Sequence, residues 1–402
     1  MFNVKEEISA YESELIALRR DFHENPELGY REYRTSKMVY DYLKKLGLEV
    51  SNISITGVVG LLRGEAGPGN TILIRANMDA SPVEEKTGCS YSSKIDGVMH
   101  ASGHDGHLAI LMVAAKILSR HKKDIYGNIK FVFQPNEEEA GALDMINDGV
   151  LENPKVDAAL AVHLWSPIKS GRVGLSAGPI LGTTEEFELK IIGRSGHTST
   201  PHTGRDAVLG AAKVIDAVQV LETREFDPLY PITIMFGRLK GGNARNVIAD
   251  CVELGGTIRF LFPDEKDGKK EVLTRFERII SGVCAAMDLE YKLEFIPSNP
   301  SLINDQSLVS VMKDSVEKAF ETDDNIEEFK SLTGEDFAEF SQRVPSVMVF
   351  LGINNPESQS IYPHHHPMFN IDEDMLKYGV ELEIRTAVSY LENTHIKNVG
   401  TL

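Results

Sequence analysis

Apolar and polar positions along residues 71–165 alternate between two periods, which predicts strands and helices in turn. The short apolar run from Thr71 to Arg75 is typical of a buried strand, and a polar loop follows it. Leu108 and Leu111 belong to a helical repeat that predicts one buried face. Two further strands, in NIKFVFQP and DAALAVHLW, flank a helix in EEEAGALDMINDG. This order predicts an α/β fold with a mostly parallel sheet flanked by helices.

The pattern changes near residue 182. Residues 182–297 contain a strand, a helix, two strands, a helix and a strand, the βαββαβ order of a ferredoxin-like α+β unit. The earlier alternation resumes after residue 297, and 402 residues exceed what one hydrophobic core usually serves. The sequence therefore predicts a discontinuous first domain over residues 1–181 and 298–402, with a second domain inserted over 182–297.

Composition excludes several classes of function. The 42 basic and 60 acidic residues give a net charge of −18, which would repel a nucleic-acid backbone. No apolar tract is long enough to span a bilayer, and the first thirty residues predict an amphipathic helix and not a signal peptide. We therefore expect a cytoplasmic protein without membrane or nucleic-acid partners. Cys89, Cys251 and Cys284 are too scattered for a disulfide framework, so we expect buried free thiols.

Side chains that can bind a divalent ion follow four different predicted strands or begin the buried helix. Such side chains converge on one rim, because ligands of an open parallel sheet bind outside the carboxyl ends of its strands. A lone histidine is more often structural and an acidic triplet more often a solvated helix start, but their joint placement favours a metal site. The candidates are Asn77, Asp79, His104, His107, Glu137, Glu138, Glu139, His163, His364, His365 and His366.

The adjacent carboxylates Glu137 and Glu138 can serve two separate roles, in which one binds metal and the other transfers protons. Motifs that would indicate another catalytic mechanism are absent or weak. The sequence has no GxSxG elbow, no P-loop and no GxGxxG after a strand, and Ser195 and His197 are too close in sequence to make a typical nucleophile and base. Metal-assisted hydrolysis is the chemistry that these residues favour.

With these motifs in place, the chain resembles the amidohydrolase branch of the zinc aminoacylase and carboxypeptidase family, which includes hippurate and indole-acetyl-amino-acid hydrolases. The resemblance runs nearly end to end. The matching segments are LRRDFHENPELGYREYRTS (18–36), RANMDASPVEEKTG (75–88), GVMHASGHDGH (97–107), FQPNEE (133–138), AVHLW (161–165), GRSGHTSTPHTGRDAV (193–208), NVIADCVELGGTIR (246–259), GEDFAEF (334–340) and HHHPMFNIDED (364–374).

The resemblance implies roles for individual residues. It implies Glu137 as the general base, and Asp79 as an acidic residue that fixes ligand geometry. In the inserted domain, it implies that His197 reaches the substrate carbonyl from the partner subunit of a homodimer, and that Asn246 and Arg259 hold the substrate carboxylate. The inserted domain is thereby expected to serve dimerisation and as a lid. The implied metal ligands are His104, Glu138, His163 and His365.

Two positions depart from the family pattern. Ser102 stands where relatives carry a cysteine whose thiolate bridges two metals, and Asn77 stands where they carry aspartate. A serine hydroxyl is a poor metal ligand at neutral pH, and Ser102 has an alternative role as the N-cap of the buried helix. We expect one or two divalent ions per chain, zinc or else manganese, cobalt or nickel.

Together these features predict a metal-dependent amidohydrolase of N-acyl amino acids, similar to aminoacylase or hippurate hydrolase. A metal-activated water attacks the amide carbonyl, with Glu137 as base and then acid, and the metal and His197 stabilise the oxyanion. Two alternatives remain: a dipeptidase or carboxypeptidase, and a metal-poor protein that binds acyl amino acids without hydrolysing them.

Overall fold

The computed structural model describes residues 2–322 and 324–400, with the backbone alone for 398–400. Its helices are α1 (Val4–Glu24), α2 (Tyr33–Lys45), α3 (His104–Arg120), α4 (Ala142–Asn147), α5 (Ala207–Val220), α6 (Glu265–Ala286), α7 (Gln306–Phe320), α8 (Ala338–Ser341) and α9 (Leu376–Gly400). Its strands are β1 (Glu49–Ile53), β2 (Gly57–Arg63), β3 (Gly67–Asn77), β4 (Tyr126–Gln134), β5 (Ala158–Lys169), β6 (Val173–Gly174), β7 (Gly178–Leu181), β8 (Thr183–Ile192), β9 (Gly196–His197), β10 (Ile232–Gly241), β11 (Val247–Ile248), β12 (Cys251–Phe260), β13 (Glu290–Pro297), β14 (Leu302–Asn304), β15 (Ile326–Glu327) and β16 (Ser346–Asn354).

Contacts between residues divide the chain into two compact units. Unit 1 comprises Met1–Gly178, Ile303–Phe329 and Asp336–Leu402. Unit 2 comprises Pro179–Leu302 and Lys330–Glu335. Among the described residues, no helix combines the length and the apolar character that a bilayer crossing requires.

Unit 1 is built on an eight-stranded, mainly parallel sheet in the order β1-β2-β4-β3-β5-β16-β6-β15. The central strands β4, β3, β5 and β16 run parallel, as the alternating pattern predicts. Strand β2 pairs antiparallel with both β1 and β4, and β6 antiparallel with β16. The α/β prediction with a mostly parallel sheet is therefore confirmed.

Helix α3 is the most deeply buried helix element of unit 1. Its first fifteen residues are buried with the exception of Lys116, because α3 packs against both the sheet and neighbouring helices. An apolar helix covered on all sides can be held rigidly, since close packing leaves its side chains little room to move. The chain thereby fixes the position of the helix start, where His104 lies.

Unit 2 contains a four-stranded antiparallel sheet in the order β10-β12-β8-β13. The strand sequence β8, β10, β12, β13 gives the spatial order 4-1-3-2, with α5 after the first strand and α6 before the last. This is the ferredoxin-like arrangement expected from the βαββαβ order. Alternate residues of β8, including Phe187, Leu189 and Ile191, point into the core of this unit, while Glu188 and Lys190 are exposed.

Three local expectations were wrong. Helix α3 is capped by Gly103 in the left-handed conformation, with no side-chain cap, so Ser102 is not its N-cap. The predicted helix at EEEAGALDMINDG is a 3-10 turn over Glu137–Glu139 followed by the short α4. Only Cys284 is a buried thiol, whereas Cys89 and Cys251 are half-buried.

Candidate metal centre

His104 is oriented by the residues that precede its helix. Gly103 has φ +83°, a left-handed conformation that favours glycine, and it turns the chain into α3. The His104 Nδ1–H donates to the backbone carbonyl of Asp79 at 2.8 Å, and the Asp79 carboxylate oxygen Oδ1 lies 3.4 Å from Nδ1. These contacts favour the tautomer in which Nε2 carries the lone pair, the form that binds a metal. The Asn77 side-chain amide Nδ2 lies 3.1 Å from this Nε2.

A tight turn presents two adjacent carboxylates to His104. Asn136 and Ala140 have left-handed φ values of +55° and +63° and enclose the 3-10 turn Glu137–Glu139. Glu137 Oε2 lies 3.5 Å from His104 Nε2. The ligand atoms of His104, Glu137 and Glu138 all lie within 4.8 Å of one another, a spacing at which three groups could share one ion.

Ser102 lies between two of the predicted ligands. Its hydroxyl donates to Glu138 Oε1 at 2.6 Å, and its Oγ lies 3.0 Å from His365 Nε2. Glu138 Oε2 is 3.5 Å from the same His365 nitrogen, and Ser81 donates to Glu138 Oε1 at 2.9 Å. The contacts of Ser102 are therefore with the candidate centre, where the resemblance puts a bridging cysteine.

The remaining predicted ligand, His163, lies on strand β5. Its Nδ1–H donates to the carbonyl of Leu164 at 2.9 Å, and its ring centroid lies 6.4 Å from that of His104. The neighbouring His107 accepts a hydrogen bond from the Leu164 backbone N–H at 3.0 Å, so that histidine has a structural partner. His364 likewise lies 3.0 Å from the Leu164 carbonyl through Nε2.

The electrostatics of the group favour a cation beside His104. Burial lowers the pKa of His104, but the carboxylates of Asp79 and Glu138 more than offset this effect and leave the pKa above its ordinary value. Burial and neighbouring histidines instead depress the pKa of His107 well below its ordinary value, and burial lowers that of His364 to about 3. Negative charge is therefore concentrated beside His104, at the carboxylates of Asp79 and Glu138.

The predicted substrate residues lie in unit 2 and fall into two places. His197 on β9 pairs with Val247 on β11, and the Asn246 carbonyl accepts from the Thr198 N–H at 3.2 Å, so His197 and Asn246 are neighbours. Arg259 lies near the far end of β12, where its Nη1 donates to Leu332 O at 3.1 Å. Cys251 and Arg259 are eight residues apart on β12, about 26 Å in an extended strand.

Some contributors to the centre were missed by sequence reasoning. Glu32 accepts from the Asn136 N–H at 3.0 Å, and Asp336 accepts from the Ala142 N–H at 2.8 Å, so these two buried carboxylates hold both ends of the turn that carries Glu137. Glu32 and Asp336 both fall within segments that carry the resemblance, but no residue pattern links either position to the turn. Their role depends on contacts between distant parts of the chain.

The site gathers histidine and carboxylate groups at the carboxyl end of a parallel sheet, with an adjacent carboxylate that can carry protons. This arrangement is typical of a metallohydrolase. Comparisons with known proteins extend this assignment. Residues 73–388 match peptidase family M20/M25/M40. Thermostable carboxypeptidase 2 of Saccharolobus solfataricus is 36% identical over 394 residues, covering 96% of this chain and 98% of the relative.

Two further similarities cover nearly the whole chain. N-acetyl-L-cysteine deacetylase of Bacillus subtilis is 35% identical, covering 91% of this chain and 85% of the relative. The crystal structure of the Bacillus subtilis YXEP protein, described as a dinuclear metal-binding peptidase from the M20 family, superimposes with a TM-score of 0.83 at 29% identity, covering 96% of this chain and 99% of that one.

The chain belongs to peptidase family M20/M25/M40. It is a metal-dependent hydrolase that acts on amide bonds and uses divalent metal, which confirms the predicted class of enzyme.

Proposed function

We propose that this enzyme hydrolyses the amide of N-acyl amino acids, releasing the acyl group as a carboxylate and the amino acid as a free amine. The observation that carries the proposal is the Glu137 carboxylate, which lies 3.5 Å from the His104 nitrogen and beside Glu138. The names of N-acetyl-L-cysteine deacetylase and of IAA-amino acid hydrolase ILR1-like 4, the latter 35% identical, support an acyl amino acid as substrate.

The donor set fits a divalent ion. Our proposed ligands are His104, Glu138, His163 and His365, all nitrogen or oxygen donors of unit 1. The buried oxygens Asn77 Oδ1 and Asp79 Oδ1 have no hydrogen-bond partner among the described residues, and a cation nearby would compensate such groups. Nitrogen and oxygen donors accept manganese, cobalt or nickel as readily as zinc, and Ser102 lacks the charge of a bridging thiolate. We therefore propose one tightly held ion and a weaker second position.

The proposed mechanism assigns proton transfer to Glu137. A divalent ion held by these ligands would polarise the amide carbonyl and make a nearby water nucleophilic near neutral pH. Glu137 takes the proton of the attacking water and passes it to the leaving amine, since one carboxylate within hydrogen-bond reach can act as base and then as acid. Glu138 cannot share this role, because Ser102 and Ser81 both donate to its Oε1 and its other oxygen faces His365.

We further propose that unit 2 serves dimerisation and that two subunits complete each site. His197 is exposed and adjacent to Asn246, whereas Arg259 lies near the other end of β12. One small substrate carboxylate can meet both Asn246 and Arg259 most simply if the two come from different chains. Edge strand β10 exposes Met235 and Leu239, each 60% accessible, which supports a partner subunit at this edge.

A panel of substrates tests the proposed reaction. Purified enzyme supplied with zinc, manganese, cobalt or nickel is assayed on N-acetyl and N-benzoyl derivatives of one amino acid and on dipeptides that end in the same residue. The proposal predicts that kcat/KM is higher for the acylated compounds, because they lack a free amine. A preference for dipeptides would instead establish a dipeptidase or a carboxypeptidase, and the Saccharolobus relative is named as a carboxypeptidase.

The same panel addresses the metal-poor alternative. If no compound is hydrolysed with any of the four metals while an N-acyl amino acid still binds by calorimetry, the chain is a binding protein and Glu137 has no catalytic role. We expect turnover, because Glu137 lies 3.5 Å from the proposed metal ligand His104, where it can reach a water beside the metal.

A further inference from the structure

A second group of metal-binding side chains lies in unit 1 outside the candidate metal centre. His23 is on α1, and Glu85 and Cys89 are in the loop that follows β3. Their ligand atoms all lie within 4.8 Å of one another, with 3.4 Å between His23 Nε2 and Glu85 Oε1 and 3.8 Å between Cys89 Sγ and the same oxygen. None of the three has a role in the proposed reaction.

The imidazole of His23 is oriented for coordination. Its Nδ1 lies 2.8 Å from Asp105 Oδ2, and Asp105 is itself held by Arg19 at 2.8 Å, with all three side chains buried. A carboxylate behind one ring nitrogen turns the other toward the metal and raises its basicity, as in carboxylate-histidine-zinc arrangements. The other nitrogen, Nε2, faces Glu85.

The loop holds Glu85 and Cys89 in place. Glu85 Oε2 accepts from the Ser93 N–H at 2.6 Å, and the Thr87 hydroxyl donates to Oε1. Ser92 Oγ lies 3.4 Å from Cys89 Sγ. The Glu85 side chain is 5% exposed and Cys89 is half-buried, so the group opens to solvent on the cysteine side only.

Two of the three spacings between ligand atoms suit a tetrahedral zinc ion, and the third, between His23 and Cys89, is at most 4.8 Å. Zinc binds histidine nitrogen at about 2.0 Å and cysteine sulfur at about 2.3 Å, which separates neighbouring ligand atoms by about 3.5 Å. The observed 3.4 and 3.8 Å bracket this separation. Combined nitrogen, oxygen and thiolate donors select zinc or cobalt over magnesium or calcium, which prefer oxygen alone.

The charge of the group also favours a cation. Burial and Arg19 lower the pKa of His23, but the carboxylates of Asp105 and Glu85 more than offset them and leave that pKa above its ordinary value. Carboxylates therefore face both ring nitrogens of His23, Asp105 at Nδ1 and Glu85 at Nε2.

We propose that His23, Glu85 and Cys89 bind one zinc ion, with a water as the fourth ligand, at a site separate from the catalytic centre. The ion would tie α1 to the loop after β3 and so serve a structural purpose. The site uses none of the residues proposed for catalysis, so it stands or fails independently of the proposed function.

Sulfur coordination is the readout that distinguishes this site. The proposed catalytic ligands contain no cysteine, so a sulfur scatterer at about 2.3 Å in zinc X-ray absorption reports the new site alone. Cobalt-substituted protein should likewise show sulfur-to-cobalt charge-transfer absorption. We expect Cys89→Ser to lose both signals and one zinc per chain, while the matched control Cys251→Ser, in unit 2, keeps them.

Thiol alkylation provides a second measurement on the unaltered chain. Zinc should protect Cys89 from alkylation and leave Cys251 unprotected. The proposal is overturned if wild-type protein saturated with zinc shows no sulfur scatterer, or if wild type and Cys89→Ser bind the same number of zinc ions.

Discussion

Replacing Asp79 by asparagine tests whether the residue behind His104 sets metal affinity. Asp79 makes two kinds of contact with the proposed centre. Its backbone carbonyl accepts from His104 Nδ1–H at 2.8 Å, while its carboxylate lies 3.4 Å from the same nitrogen and accepts from the Glu138 N–H at 3.0 Å. Asparagine keeps the carbonyl contact and one side-chain oxygen but removes the negative charge.

The retained contacts set the expected magnitude. Loss of a residue that orients a metal ligand typically costs 10- to 100-fold in affinity. Because the backbone carbonyl of Asp79 still fixes the His104 tautomer in Asp79→Asn, we expect about 10-fold weaker binding, or about 1.4 kcal/mol. Asp79→Ala also leaves the Glu138 N–H without its acceptor, so we expect about 100-fold.

Competition with a chromophoric chelator measures these affinities directly. Asp157→Asn is the matched control, since Asp157 accepts from the Thr71 N–H of β3 at 2.8 Å and has no contact with the proposed ligands. Asp79 does not set metal affinity if Asp79→Asn binds metal within twofold of wild type, or if Asp157→Asn weakens binding equally.

Four further predictions address the proposed roles. Glu137→Gln should retain metal but lose about 10²-fold or more in kcat, measured in steady-state assays. The control Glu139→Gln alters an exposed neighbour and should leave kcat nearly unchanged. Arg259→Ala should raise KM for substrates with a free carboxylate far more than for their amides, because it removes a charge-assisted pair worth roughly 1.5 to 3 kcal/mol; equal losses would make the residue structural. Mixed His197→Ala and Glu137→Gln homodimers should recover activity on subunit exchange, and exchange without recovery contradicts a shared site. Ser102→Cys should increase the metal retained after dialysis and shift the preference toward zinc, and elemental analysis unchanged from wild type contradicts this reading.

The sequence alone determined the fold class and the group of candidate ligands in unit 1. Period-two and helical repeats follow from burial of one face, so they are visible in any chain that has a core. Asp79 and Glu137 could be grouped because each follows a strand, and the carboxyl ends of parallel strands share one edge of the sheet. His163 was expected to end its strand in the same way, but it lies inside β5, which continues to Lys169. The βαββαβ order of unit 2 was readable from the same period-two and helical repeats.

How the side chains meet follows from contacts that exist only in the folded chain. Ser102 contacts His365, which is 263 residues away, and sequence reasoning assigned it to the nearby helix end because capping is a local interaction. Contacts between distant segments also produce three other features: the antiparallel pairing of β2, the two carboxylates that hold the turn of Glu137, and the approach of His23 to Cys89. Each depends on contacts between distant segments, and hydrophobic periodicity records which face of an element is buried but not which partner covers it.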